Sequence, residues 1–269
     1  MSSQGISEHL KAALPHGLVH RISEWRRGRI DRKIGQSPFY VTYSSALPYR
    51  AINTRALVSD RYRYVYFRVP KAANSSVVAT LMHMEGAAST LSSKEVEAFK
   101  TSGRRLSTLG LEEVDKVRNH YFKFAIVRNP YTRVISAYRD KIEKVTAFRP
   151  RVSRFLGKGP DEPVGFEEFL DYLEFGGGLR DDAHWALQSE LILLPVERLD
   201  AIGKVETLDC DLPGILQSIY GTRGGPVRFS PHATNAGSAA VQLGSRTVDR
   251  IYRLYQKDFE SFSYPRSLT

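Results

Sequence analysis

Residues 121–141, YFKFAIVRNPYTRVISAYRDK, constrain the fold more than any other part of the chain. The first seven form a short apolar run, aromatic and β-branched with one Lys, of the length expected for a buried strand. Arg128 should end it. Asn129 and Pro130 then turn the chain and start a helix, because Pro tolerates the first helical turn and Asn can cap it. From Tyr131 onward, Val134, Ala137, Tyr138 and Lys141–Ile142 recur at helical spacing. A strand, a polar loop and a helix in this order put the loop at the carboxyl end of the strand, facing the helix N-terminus, where anions are favoured. Arg128 adds a fixed fork of donors there, and Ser136 adds a hydroxyl. Taken alone, Arg128 reads more readily as a surface ion-pair partner and Ser136 as a solvated helix position.

A second unit upstream changes that balance. Residues 62–69, YRYVYFRV, place Val65, Phe67 and Val69 on one face of a strand. Pro70, Lys71, Ala72, Ala73, Asn74, Ser75 and Ser76 follow, and residues 77–84 continue as a helix. Small residues let the backbone approach a ligand, and Asn74, Ser75 or Ser76 can cap the helix. Lys71 is a mobile positive charge at the mouth of the loop, so the unit follows phosphate-binding logic. It is not a Walker A loop, because Lys71 precedes the small residues and no glycine is present.

The chain has 269 residues, 42% of them hydrophobic, enough for one large α/β domain with an appendage. Its formal charge is +10. Between Arg118 and Lys158 there are 11 Arg and Lys against Asp140 and Glu143. That local excess argues for an anionic ligand more than for solubility. Cys210 is the single cysteine, which leaves no disulfide framework or thiolate metal cluster; it reads as a buried or incidental small residue. No run of about 18 apolar residues is present, so no membrane span is expected. The N-terminus lacks the apolar core and cleavage site of a secretory signal, and the expectation is a cytoplasmic protein.

Residues 1–37 form a basic helical extension ahead of one domain, 38–269. Leu14, Leu18, Ile22 and Trp25 fall on one stripe, Pro15 argues against one long helix, and the stripe suits either a membrane surface or packing onto the domain. Residues 37–60 lack periodicity and read as an extended connection.

In order and spacing, the two loops resemble those of the Golgi-type carbohydrate sulfotransferases and their bacterial relatives, users of 3′-phosphoadenosine 5′-phosphosulfate (PAPS). The resemblance spans residues 62–264. It implies that the 70–76 loop, with Lys71, Ala72, Ala73, Asn74, Ser75 and Ser76, holds the 5′-phosphosulfate. It implies that Arg128 and Ser136 hold the 3′-phosphate. Many members have Asp where this chain has Asn129; Asn keeps the cap, but an ion pair made by that Asp is lost. The motifs lie about 60 residues apart with helical stretches at 92–100 and 110–118 between them, which allows two parallel βα units with both loops on one edge.

Residues 149–178 read as an insertion with one amphipathic helix at 166–175, either covering the acceptor or simply solvated. The segment 181–188, DDAHWALQ, is similar to one found in these sulfotransferases. An attacking alcohol must lose a proton, and His184, with an ordinary pKa near 6.5, is the candidate base; His120 and Glu85 are its rivals. Asp182 would orient His184 or contact the acceptor, and Gln188 would also contact it. Residues 201–208 read as a core strand, 211–220 as a helix, and 248–262 as a final structural helix. Asn235 and Ser238 would lie in a nucleotide-covering loop.

The expected fold is α/β, a central parallel sheet flanked by helices, laid out like a nucleotide kinase. The expected reaction is sulfuryl transfer from PAPS to a carbohydrate hydroxyl, with 3′,5′-diphosphoadenosine as product, Lys71 at the leaving oxygen, and no metal or nucleic acid required. The alternatives are a kinase-like phosphotransferase, which needs a Walker lysine and Mg²⁺ ligands, and a basic nucleic-acid-binding module, which needs a recognition signature. Neither set of residues is found.

Overall fold

The computed structural model describes residues 16–87, 91–144, 147–222, 224 and 243–267. Helix α1 (His16–Gly35) and the short α2 (Tyr49–Asn53) lead into strands β1 (Ala56–Ser59) and β2 (Tyr64–Phe67). Then come α3 (Asn74–Met84), α4 (Ser93–Ser102), α5 (Leu111–His120), β3 (Phe122–Val127) and α6 (Pro130–Tyr138). The second half holds α7 (Arg149–Phe155), α8 (Phe166–Phe175), α9 (Gln188–Ile192), β4 (Ala201–Lys204), α10 (Leu208–Tyr220) and α11 (Ser245–Ser261).

The four strands form one sheet in the order β1-β2-β3-β4. β2, β3 and β4 run parallel, as the two βα units require, and β1 pairs antiparallel with β2. The sheet is therefore mixed at one edge, and residues 37–60 are more than an extended connection. Because β1 is antiparallel, its first residue, Ala56, lies opposite Phe67 at the end of β2. Arg55 is thus delivered to the same edge as the Lys71 loop.

Both faces of the sheet are covered. Val65, Phe67 and Val69 join Ala125 and Val127 in one core with α6, α8 and α11. Tyr64, Tyr66, Phe124 and Ile126 point the other way, onto α3 and α10. The parallel register sets Tyr66 opposite Phe124, and their rings stack at 4.7 Å and 6°. Burying an aromatic or branched side chain contributes about 1.5–3 kcal/mol, so these alternating faces fix the register strongly: a one-residue slip would exchange them. Gly203 in β4 leaves room for Ile126 of β3 and for α10, since a Cβ there would meet Ile126 Cδ1 at 2.6 Å and Asp211 Cβ at 3.2 Å.

Several boundaries differ from the sequence reading. The strand expected over 201–208 stops at Lys204, and α10 starts at Leu208 rather than at 211. There Asp211 Oδ2 accepts the Lys204 amide and the Thr207 hydroxyl. Residues 149–178 contain two helices, not one. Helix α1 is described from His16 to Gly35, and Leu14 and Pro15 lie outside the described residues. It is anchored where Asp31 accepts the Arg50 amide at 2.8 Å, while Trp25 of the expected packing stripe is 64% exposed. Cys210 is exposed, not buried. No helix among the described residues is long and apolar enough to cross a membrane.

Candidate active site

The loop after β2 is shaped without glycine. Lys71 and Ala73 adopt left-handed backbone conformations, φ +67° and +50°, each at a cost of roughly 1–2 kcal/mol for a residue with a Cβ. Ala73, not Asn74, Ser75 or Ser76, is the N-cap of α3, and no side chain caps it. The first intrahelical bond runs from Val77 N to Ala73 O, so the amides of Asn74, Ser75 and Ser76 form the donor end of the helix. Ser75 Oγ accepts from Lys100 Nζ at 3.0 Å. The Asn74 side-chain oxygen is enclosed with no partner.

The second loop lies against the first. Arg128 Nη1 donates to Lys71 O at 3.2 Å, and its Nε donates to Thr132 Oγ1 at 2.9 Å. Asn129 caps α6 by accepting the Tyr131 amide at 3.0 Å, the role expected of it. Burial lowers the proton affinity of Arg128, with Glu206 opposing. Ser136 is buried within α6 at 2% exposure.

After Tyr138 the helix widens into one π turn, Arg139–Glu143, a feature common at functional sites. It displaces Asp140 and Lys141 from where an unbroken α-helix would put them. Asp140 Oδ2 meets Lys71 Nζ and Lys141 Nζ, both at 3.0 Å. Burial alone would raise the Asp140 carboxyl, but hydrogen bonds from Lys141 and Lys71 outweigh it and bring it to about 2. Burial lowers the proton affinity of Lys71 against the support of Asp140. Lys71 and Lys141 thus flank one firmly ionised carboxylate, and Arg128, held on the Lys71 carbonyl, leaves the edge net positive. Together with the amides at the α3 N-terminus, these cations make a donor set that fits a ligand with two anionic ends.

His184 faces the same edge. Its Nδ1 donates to Asp182 Oδ1 at 2.6 Å, and the same oxygen accepts its backbone amide at 2.9 Å. That fixes the tautomer and leaves Nε2 as a proton acceptor. Phe148 packs edge-on against the imidazole at 5.3 Å and lies under Lys141 Nζ at 5.4 Å. A continuous set of contacts therefore joins Lys71, Asp140, Lys141, Phe148 and His184. Burial lowers the His184 pKa; Asp182 raises it, and Arg55 and Lys141 lower it further.

The rivals for the base lie elsewhere. His120 ends α5 just before β3, and six strand residues at about 3.3 Å each separate it from the loop edge. Glu85 follows the far end of the 11-residue α3, about 16 Å from the helix start, and accepts hydrogen bonds from Tyr64 and Tyr220. Asp182 orients His184. Gln188 does not face an acceptor: it is fully buried, and its amide bonds Arg128 N and Arg128 O at 2.9 and 2.8 Å. Asp258 accepts the Gln188 and Ser189 amides, so the pair holds the Arg128 loop. Asn235 and Ser238 lie outside the described residues.

Arg133, absent from the sequence reading, ties the site together. It is 1% exposed and donates to Pro70 O, Ala186 O and Ala183 O at 3.1, 2.7 and 3.1 Å. Its one guanidinium thus spans the Lys71 loop, α6 and the His184 segment. Arg133→Met should strand three buried carbonyls and cost roughly 3–5 kcal/mol, since each unsatisfied group costs about 1–3 kcal/mol. Urea unfolding measures it. A loss below about 1 kcal/mol would show that the segments hold together without Arg133.

Known proteins give the geometry its context. The sulfotransferase family profile matches residues 54–265. The chain belongs to the sulfotransferase family. It is 28% identical to carbohydrate sulfotransferase 10 of Danio rerio over 92% of this chain and 76% of that protein. It is 30% identical to carbohydrate sulfotransferase 14 of Homo sapiens over 80% of this chain and 61% of that one. For carbohydrate sulfotransferase 14 of Danio rerio the identity is 31%, over 91% and 72%. No solved structure matches. The family expectation is met, this sulfotransferase is an enzyme, and the kinase-like and nucleic-acid-binding alternatives fall with that assignment. The cytoplasmic expectation is overturned: carbohydrate sulfotransferases like these relatives are Golgi-resident enzymes.

Proposed function

We propose that this sulfotransferase uses PAPS as donor and a carbohydrate hydroxyl as acceptor. The observation that carries the reading is the pairing of two anion-binding loops on one sheet edge, linked by the Arg128 to Lys71 hydrogen bond, with an oriented histidine beside them. The names of the relatives support the carbohydrate acceptor.

Bound PAPS would supply a sulfuryl group that passes in line from its phosphate oxygen to the acceptor oxygen. The chain supplies position and charge, which dominate such transfers. Lys71, the Ser75 and Ser76 hydroxyls and the α3 amides would bind the phosphosulfate, with Ala72, Ala73 and Asn74 shaping the loop. Lys71 would carry the charge that meets the leaving oxygen. Arg128 and Ser136 would hold the 3′-phosphate, and Arg133 and Gln188 keep that loop in place. His184 Nε2 would take the acceptor proton, held for it by Asp182. The scheme asks for no metal.

The test is thermal unfolding with 3′,5′-diphosphoadenosine and with ADP. The first should stabilise the protein far more, because only it carries the phosphate meant for Arg128. At about 100 times its dissociation constant a ligand adds about 2.7 kcal/mol. Equal shifts with both nucleotides would overturn the assignment of the donor.

A further inference from the structure

Lys100 lies in the last turn of α4, where a lysine is ordinarily solvated, yet the residue is only 9% exposed. Both of its ends are held. The Lys100 carbonyl accepts from the Arg68 guanidinium at 3.2 Å, which ties this turn of α4 to the end of β2, just ahead of the Lys71 loop. Its Nζ donates to Ser75 Oγ at 3.0 Å and to Glu97 Oε2 at 3.1 Å. Glu97 does not account for the burial: its side chain is 67% exposed, and so open a pair on one helix contributes little. Drawing an ammonium out of water is costly unless other groups meet it. The group that does is Ser75.

Ser75 is the second residue of α3, so its amide belongs to the open donor end of that helix. Because Ser75 Oγ accepts from Lys100, its own O–H points away from the ammonium, and among the described residues it donates to none. A hydroxyl that accepts from a cation is a stronger donor. An oxyanion taking that hydrogen would sit about 2.7–2.8 Å from Ser75 Oγ, within about 6 Å of the Lys100 charge. Lys71 leans instead on Asp140 at 3.0 Å, so the two lysines serve the loop through different groups. We propose that Lys100 is a positioning residue of the donor site: it aims the Ser75 hydroxyl at the 5′-phosphate end of the nucleotide and sets a positive charge behind it. This rests on the sulfotransferase reading of the same loop and extends the site to α4, which neither anion loop contains.

Calorimetry with two nucleotides isolates the effect. Adenosine 3′-monophosphate keeps the phosphate meant for Arg128 and lacks the 5′-phosphate, so the ratio of its affinity to that of 3′,5′-diphosphoadenosine reports the 5′ end alone. The wild type should prefer the diphosphate by about 100-fold or more, since several hydrogen bonds to a charged group are at stake. Lys100→Met should lower that preference at least about 5-fold while leaving adenosine 3′-monophosphate within about twofold of wild type, a split that a merely structural lysine would not produce. Lys100→Gln, which keeps a donor but no charge, should fall between the two. Lys94→Met, on the exposed side of the same helix, should change nothing, which separates a site from general attraction to a basic protein. In a double-mutant cycle, Lys100→Met with Ser75→Ala should lose less than the product of the single losses, because the lysine acts through the hydroxyl. A preference that survives Lys100→Met, an equal loss with both nucleotides, an equal effect of Lys94→Met, or single losses that simply multiply would each overturn the proposal. A wild type that binds both nucleotides alike would instead overturn the placement of the donor's 5′ end in this loop.

Discussion

Lys71→Ala should lower turnover by about 10²- to 10³-fold with every acceptor, the loss found when one preorganised group at a developing oxyanion is removed. It should also weaken 3′,5′-diphosphoadenosine by about 1.5–3 kcal/mol, the worth of one hydrogen bond to a charged group. The argument rests on where the charge is held. Lys71 Nζ sits 3.0 Å from Asp140, with both side chains mostly enclosed, and Arg128 fastens the Lys71 carbonyl. The ammonium is therefore positioned before the donor arrives, and the reaction need not reorganise it. Asp140 keeps Lys141 as a partner in the variant, so the fold should survive, and Lys71→Met serves as a packing control. Steady-state kinetics with two chemically different sugars is the measurement. A defect confined to one acceptor would place Lys71 on the acceptor side and end its assignment to the leaving oxygen.

The two loops were legible because each follows a strand with its own unmistakable pattern. Val65, Phe67 and Val69 alternate, the run 122–127 is apolar but for Lys123, and parallel pairing then leaves both loops on one edge. β1 was hidden for a physical reason: Ala56–Ser59 is four residues long, too short for alternation to stand out. The five residues of α2 are likewise shorter than any reliable helical period. Propensity does not announce left-handed Lys71 and Ala73, since glycine is the usual signal and none is there. Nor does a 3.6-residue period reveal the π turn that carries Asp140 to Lys71, across 69 residues of sequence.

Arg133 is the most instructive omission, because a signal existed. It falls three residues after Pro130 and four before Ala137, inside the apolar stripe of α6, where a solvated Arg does not belong. An arginine on a buried face needs acceptors, and here they are the carbonyls of Pro70, Ala183 and Ala186. Gln188 shows the reverse error. Its place after His184 and Trp185 suggested an acceptor contact, but its amide has one donor and one acceptor group that match a backbone N–H and C=O, and Arg128 uses both. Side-chain identity pointed to the right segment in each case, and only packing could say which way the group faces.

His184→Ala should reduce kcat by about 10²- to 10⁴-fold, the usual worth of a positioned general base, and leave 3′,5′-diphosphoadenosine binding nearly intact. The pH profile distinguishes a base from a merely structural histidine. A base must be neutral, so activity is full above its pKa and is lost as pH falls through it. Burial, Arg55 and Lys141 hold the His184 pKa below its ordinary value, so the acid limb of the wild type should lie below about 6.5. Asp182 works against them, since it stabilises the imidazolium at 2.6 Å. Asp182→Asn removes that charge, so the acid limb should move to still lower pH while the plateau falls from lost orientation. A limb that stays in place in Asp182→Asn, or a His184→Ala enzyme with wild-type kcat, would mean that the acceptor proton leaves by another group. Because His120 and Glu85 sit at the opposite ends of β3 and α3, that group would have to come from the loop edge itself.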